Sequence, residues 1–213
     1  MTEAKAVPVK EWIFIPAIVT LAITLVRLVG ELMQWSPVFF SRAGGGAGAI
    51  IGIVWLVPIL GIYFALKLRN TGERPKSVGK AFGLVVLAFV LTIAVSVLGA
   101  AMGINPLQGI VVTCLALFAS ILVVKPGWPA LARLLWSYGL AARIPVILVM
   151  LVAILADWGT HYDVAPPGFP ALNPIIKWLL IGVFPQITLW MGFTVVVGML
   201  FGVITIAVAG KKG

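Results

Sequence analysis

Long apolar runs are the feature that most restricts how this chain can fold. Six of them are each about 17 to 24 residues long, and together they occupy most of the 213-residue sequence. The hydrocarbon core of a bilayer, about 30 Å thick, requires about 20 residues of α-helix. We therefore predict an all-α, polytopic integral membrane protein with six transmembrane helices. The predicted spans are residues 12–35, 47–67, 81–103, 108–124, 142–158 and 186–208.

The composition also indicates a membrane protein. Hydrophobic residues make up 62% of the chain and charged residues 10%, and the mean hydropathy of +1.18 exceeds what a soluble domain sustains. Because the spans leave no room for a soluble domain, we expect residues 1–213 to form a single transmembrane domain. The net charge of +9 would suggest nucleic acid in a soluble protein. Here its placement relates to the membrane, and we expect no nucleic-acid partner.

The basic residues predict the orientation of the helices. With six spans, only Arg42 and Lys177 fall outside one face, and Arg27 lies within a span. Positively charged loops face the cytoplasm, so both termini are expected to be cytoplasmic. The expected location is the inner (cytoplasmic) membrane of a bacterium. The residues on or beside the cytoplasmic face are Lys5, Lys10, Lys67, Arg69, Arg74, Lys76, Lys80, Lys125, Arg133, Arg143, Lys211 and Lys212.

Two segments depart from simple spans. Residues 129–140 carry leucines and Tyr138 on one side and Arg133 on the other, which predicts a helix lying in the inner interface. The last apolar run, 175–209, is too long for one straight span, and Pro185 divides it. We predict an interfacial or re-entrant half-helix at about 174–184, followed by a full span broken from it at the proline.

Three smaller features carry expectations of their own. The glycines from Gly44 to Gly48 predict a flexible external turn, and Gly48 and Gly52 predict a close helix contact. Pro58, near the middle of the predicted second span, predicts a kink. Arg143, at the start of the predicted fifth span, is expected to reach the cytoplasmic headgroups.

A polar stripe crosses the first span. Its residues are spaced four, three, four and three apart, which places them within a wedge of roughly 80° on an α-helix. An opposite-charge pair, Arg27 and Glu31, lies one turn apart within it. The pair has three open interpretations: a structural salt bridge, the lining of a polar outward-facing cavity, or lipid-facing exposure. The stripe consists of Thr20, Thr24, Arg27, Glu31 and Gln34.

A second polar cluster lies at the outer end of the fifth span. Asp157, His161 and Asp163 fall within seven residues, and Glu31 is expected on the same side. Together they could form a metal site or a proton relay. The alternative is a solvated loop whose polar groups cap helix ends. The same segment, to Pro174, is rich in proline and is expected to be a stiff lid.

Several kinds of chemistry are excluded or unsupported. A single histidine rules out a bis-histidine haem and paired-histidine metal motifs, and the single Cys114 rules out an internal disulfide. Gly44–Gly48 lacks the lysine and hydroxyl residue of a phosphate-binding loop. We therefore expect no cofactor and no bound metal, and we identify no catalytic residue.

Three functional hypotheses follow. The first is a protein that binds or transports a small amphipathic or apolar molecule, or a lipid, through an outward-facing intramembrane cavity. The second is an accessory, assembly or sensing subunit of a membrane complex. The third is a membrane-embedded enzyme with an extracytoplasmic site, although no nucleophile and base are paired. Expected partners are membrane lipids, with homo-oligomers or other membrane subunits as open alternatives.

Overall fold

The computed structural model describes residues 7–44, 50–166 and 168–210, and these residues contain helices and loops but no strand. Among them are six helices long and apolar enough to cross a membrane, in agreement with the number predicted. These six candidate spans are Val9–Leu32, Ile53–Asn70, Val78–Ala101, Leu107–Gly127, Pro129–Ala156 and Pro174–Val208.

The candidate spans are built from eight α-helices, with shorter 3₁₀ and π turns at Ile53–Trp55, Lys125–Gly127 and Trp178–Val183. Helices α6 and α7 are single turns within the last span. The bounds are α1 Val9–Leu32, α2 Leu56–Asn70, α3 Val78–Ala101, α4 Pro106–Val124, α5 Pro129–Ala156, α6 Pro174–Lys177, α7 Phe184–Ile187 and α8 Leu189–Val208.

Helix α8 lies at the centre of the bundle, packed against α2, α3, α4 and α5. In the most hydrophobic 18-residue stretch of the last span 61% is buried inside the protein, against 28% in that of the first span. Glycines permit this close packing: a Cβ atom on Gly61 of α2 would lie 2.4 Å from the carbonyl oxygen of Gly198 in α8. Small residues let helix backbones approach in this way, which increases dispersion contacts between apolar helices.

Both ends of the described chain lie at one end of the bundle, which we call the basic end. Lys67, near the end of α2, places its ammonium 5.0 Å from the ring centroid of Trp12, near the start of α1. Arg69 donates a hydrogen bond of 2.8 Å to the carbonyl of Ala209, just after α8. The opposite end, where α1 and α5 finish, is called the loop end.

The predicted interfacial helix at 129–140 is wrong. These residues form the first half of α5, which continues without interruption to Ala156. Leu131, Leu134 and Leu135 are fully buried against the rest of the protein, while Arg133 is exposed. An apolar face looks the same in sequence whether it meets lipid or protein, so the pattern could not separate a surface helix from a buried one.

The last span is irregular near the predicted position, but it is not divided into two separate helices. Residues Trp178–Val183 form a π-helical segment directly before α7 and Pro185. In a regular α-helix the proline ring would clash with the carbonyl four residues earlier, that of Ile181. A widened turn accommodates that clash, and π segments of this kind are frequent at functional sites.

The second span begins later than predicted. Its first turn is the 3₁₀ segment at Ile53, so Pro58 lies in the first turn of α2 and not near the middle. In a first turn the missing N–H of proline breaks no intrahelical hydrogen bond, and the predicted mid-span kink is wrong. Of the predicted contact face, Gly48 lies outside the described residues. Gly52 lies in extended backbone just before the 3₁₀ segment, next to the guanidinium of Arg27.

Candidate functional site

Four of the five stripe residues turn into the protein. Thr20 and Glu31 are fully buried, and Thr24 and Arg27 are 2% and 8% exposed. Lipid-facing exposure of the charged pair is therefore wrong. Gln34 lies beyond the end of α1 with a φ of 53°, and it is exposed, so it does not belong to the buried stripe.

Of the two threonines, Thr20 attaches α1 to a neighbouring helix, and Thr24 bonds within α1. The Thr20 hydroxyl lies 2.8 Å from the carbonyl of Pro16 and 2.8 Å from the hydroxyl of Tyr138 in α5. Because a threonine hydroxyl has one proton, which it donates to Pro16, Tyr138 is the donor in the second bond. Thr24 donates to the carbonyl of Thr20, one turn earlier. The N-terminal part of the stripe, at Thr20, is thus a hydrogen-bonded contact between α1 and α5.

Arg27 and Glu31 form a buried ion pair. Nε of Arg27 donates to Oε1 of Glu31 at 2.8 Å, and its Nη2 lies 3.3 Å from the carbonyl of Ser41. Gly52 makes room for this guanidinium, since a Cβ atom there would lie 3.1 Å from its Nη1. Burial of charge in an apolar region is tolerated when the charges pair and their remaining polar atoms are bonded.

The loop after α5 supplies the other partner of Glu31. The backbone N–H of His161 donates to Oε2 at 2.9 Å, and its ring Nδ1 lies 2.5 Å from Oε1. The next residue, Tyr162, donates its hydroxyl to the carbonyl of Thr24 at 3.1 Å. The carboxylate therefore joins residues 130 positions apart in the chain.

Asp163 organises this loop from within. Its carboxylate accepts hydrogen bonds from the backbone N–H groups of Gly159 and Thr160, and from the hydroxyl of Thr160. Asp157, by contrast, ends α5 in a left-handed conformation and is exposed. The metal-site alternative for this cluster is not supported, because the described residues contain no group of three or more His, Cys, Asp or Glu side chains that could hold an ion.

Burial controls the protonation of the two loop side chains. It lowers the pKa of His161 below its ordinary value of 6.5, although the hydrogen bond to Glu31 opposes this shift and the charge of Arg27 adds to it. It also raises the pKa of Tyr162, which keeps the phenol protonated as a donor. A neutral His161 with its proton on Nδ1 is the tautomer that matches the carboxylate acceptor.

We expect stability to decrease as the pH falls below about 6.5. Because the pKa of His161 is lowered in the folded protein, the unfolded chain binds more protons just below that pH, and acid favours unfolding. The slope should not exceed about 1.4 kcal/mol per pH unit, the value for one proton. Charged neighbours of the ring are Glu31, Arg27 and Asp163.

Thermal unfolding of the detergent-purified protein between pH 5 and 7.5 measures this slope. His161→Gln is the control, and since the sequence contains one histidine, no other imidazole titrates in this window. An equal slope in wild type and His161→Gln would contradict the assignment.

A cavity of about 250 Å³ lies beside this site, between α1, the loop after α5, α5 itself and the irregular last span. Thr24, Arg27, His161 and Tyr162 contribute to its wall, but most of the wall is apolar. The two main interpretations of the ion pair are therefore compatible, since Arg27 both pairs with Glu31 and lines a cavity. A role of the stripe in ligand binding remains a prediction.

Sequence reasoning missed two polar residues of the cavity wall, Arg143 and Gln186. Arg143 is 3% exposed and lies near the middle of α5, about 20 Å from either end of the helix, because α5 begins at Pro129. Its predicted place at the start of a span is therefore wrong. Counting residues 129–140 as part of the fifth span would have given a longer helix with Arg143 near its middle, which is the signal in the sequence that could have placed this residue.

Comparisons of the chain with protein-family models, with curated proteins and with solved structures found no match. An inference about function therefore depends on the site itself.

Proposed function

We propose that this protein binds a small amphipathic or apolar molecule, or a lipid, in its intramembrane cavity, and that this binding serves sequestration or transport. The supporting observation is the cavity, whose wall combines many apolar side chains with a few polar groups that converge from separate elements. Ligand sites commonly have this composition, because apolar walls supply affinity and a few polar groups fix orientation.

The proposal includes an orientation. The positive-inside rule favours a cytoplasmic basic end, which would place both termini in the cytoplasm and the loop end outside. Loop residues such as Val164 and Phe169 line the cavity, so the cavity would lie towards the outer face. For a bacterial protein the membrane would be the inner membrane.

A cavity-filling substitution tests the proposal. Met150 of α5 is 7% exposed and lines the cavity, whereas Leu148 on the same helix is 56% exposed and faces away from the protein. We expect Met150→Trp to abolish binding of the neutral fluorescent amphiphile N-phenylnaphthylamine to the purified protein. Leu148→Trp should bind as wild type does, because its indole enters the detergent layer.

Two results would contradict the proposal: no saturable binding to wild type, or equal binding by both tryptophan variants. Native mass spectrometry of the purified protein adds an independent measurement. A second membrane protein present in stoichiometric amount, with no bound small molecule, would favour the accessory-subunit hypothesis instead.

A further inference from the structure

Arg143 has an unusual environment for a buried cation. Within the described residues, no carboxylate oxygen lies within 4.0 Å of its guanidinium, and its buried Nε has no hydrogen-bond partner. Its Nη2 is 3.5 Å from the hydroxyl of Thr194, a long contact, and its Cζ lies 5.0 Å from the ring centroid of Trp190. These neighbours neutralise no charge.

The cavity wall therefore has an excess of positive charge. Arg27 and Arg143 both line it, and an arginine remains protonated in proteins. Two buried carboxylates lie in this region, and both are occupied. Glu31 neutralises Arg27 and binds His161, and the carboxylate of Asp163 accepts hydrogen bonds within its own loop. Among the described residues, Arg143 is the arginine of the wall that has no carboxylate oxygen within 4.0 Å. His161 also lines the cavity, and burial lowers its pKa, which disfavours a positive charge on its ring.

A second buried polar side chain without a full set of partners lies in the same cavity wall. Gln186, in the turn after the π-helical segment, is 8% exposed and lines the cavity. Among the described residues its Oε1 has no hydrogen-bond partner, and its Nε2 donates to the sulfur of Met150 at 3.9 Å. Buried polar groups in proteins are nearly always bonded, so two orphaned groups in one cavity wall indicate a ligand with complementary polar atoms.

We infer that the cavity binds a singly charged anionic amphiphile whose carboxylate or phosphate headgroup contacts Arg143 and Gln186 and whose apolar part packs against the remaining wall. The inference depends on the proposed function and names its ligand class. Arginine suits this role because its planar fork of donors matches carboxylate and phosphate oxygens. The apolar part would contact Val146, Leu180 and Leu189.

The volume limits how much of such a molecule the cavity encloses. The volume of about 250 Å³ is slightly below the range of roughly 300–1,000 Å³ for pockets that enclose a whole drug-sized ligand. It accommodates a headgroup and the beginning of one chain. Two sources share this chemistry: a single-chain fatty acid, and the headgroup of an anionic phospholipid whose chains remain in the bilayer.

The test compares charged and neutral probes on the full-length protein in a neutral detergent. Displacement of N-phenylnaphthylamine is measured with oleate, at a pH at which it is ionised, and with oleyl alcohol. We expect oleate to bind wild type at least about tenfold more tightly than the alcohol, the size expected for one charge-assisted hydrogen bond. Phosphatidylglycerol and phosphatidylcholine, assayed by native mass spectrometry, distinguish a phospholipid from a fatty acid.

Three variants assign the effect to Arg143. Arg143→Met should lower the ratio of the affinity for oleate to that for oleyl alcohol to about one, whereas Arg143→Lys should retain part of the preference for oleate. Arg133→Met, an exposed arginine on the same helix, is the matched control. Thermal unfolding identifies any variant that fails to fold, and Arg143→Met is expected to fold because it removes a buried charge.

The outcomes separate the two proposals. Equal affinity of wild type for oleate and oleyl alcohol, or an unchanged preference in Arg143→Met, overturns the anionic ligand while the binding function stands. If none of the probes or lipids binds wild type, the proposed function itself fails.

Discussion

Replacing Glu31 with alanine is expected to lower the free energy of unfolding by about 3–5 kcal/mol, the range for breaking a buried ion pair from one side. The carboxylate is fully buried, and it accepts hydrogen bonds from Arg27 and from the backbone and ring of His161. Alanine would leave the guanidinium of Arg27, 8% exposed, without its counterion in an apolar region.

Thermal unfolding of purified protein in detergent measures this loss, and Glu11→Ala is the matched control because Glu11 is an exposed glutamate of the same helix. The double variant Arg27→Met/Glu31→Gln removes both charges and keeps an acceptor for the N–H of His161. It should regain most of the stability, since neutral replacement of a buried pair is often tolerated. A loss in Glu31→Ala no larger than in Glu11→Ala would show that the pair contributes little.

Replacing Gly61 with alanine is expected to lower the free energy of unfolding by about 1–3 kcal/mol, as overpacking commonly does. The new Cβ atom would lie 2.4 Å from the carbonyl oxygen and 2.9 Å from the Cα of Gly198. Both atoms belong to the backbone, so no side-chain rotation relieves the clash. Helices α2 and α8 must separate, and α8 is the central helix of the bundle.

Gly83→Ala is the matched control for this substitution. Gly83 lies in α3, and apart from its chain neighbours and the adjacent backbone of α3, no atom is within 4 Å of the position that a Cβ would occupy. Its alanine variant should be at least as stable as wild type, because alanine restricts the unfolded chain more than glycine does. The same thermal unfolding measurement applies, and similar midpoints for the two variants would refute the close contact of α2 and α8.

The contacts of Glu31 and of Gly61 lie in different parts of the helix bundle. The contact of α2 with α8 belongs to the packed centre, where small residues bring helices together. Helix α1 packs chiefly against α5, at the side of the bundle. Its attachment depends on polar contacts, which Thr20 makes with Tyr138 and Glu31 makes with His161. A cavity beside such a contact can retain polar groups that a tightly packed apolar centre would exclude.

The number of candidate spans was predictable because it depends on local composition. An apolar run of membrane length predicts a helix whichever other helices it packs against. Six such helices are present in the described residues. The placement of Thr20, Thr24, Arg27 and Glu31 on one side of α1 also follows from helical periodicity. That this side is buried came from the structure. Pro185 indicated an irregularity, since its ring is incompatible with a regular helix interior.

The continuity of α5 was not predictable in the same way. Its first half has an apolar side and an exposed Arg133, a pattern equally suited to an interface and to a protein core. Hydropathy measures transfer out of water and does not tell lipid from protein as the apolar neighbour. Because of this error, Arg143 was predicted at a membrane surface and not in the middle of a buried helix. Its place in the cavity wall was missed for the same reason.

By itself the sequence determined that this chain forms six membrane-length helices and that the first carries a polar stripe, because helix length and periodicity arise between residues close in the chain. Only the tertiary structure decided which side chains of the other segments contact this stripe. In the structure His161 contacts Glu31, and Asp163 bonds within its own loop. Gln34 and Asp157 are exposed, and Arg143 lines the cavity. Those contacts join distant segments, and the packing of helices against one another selects them.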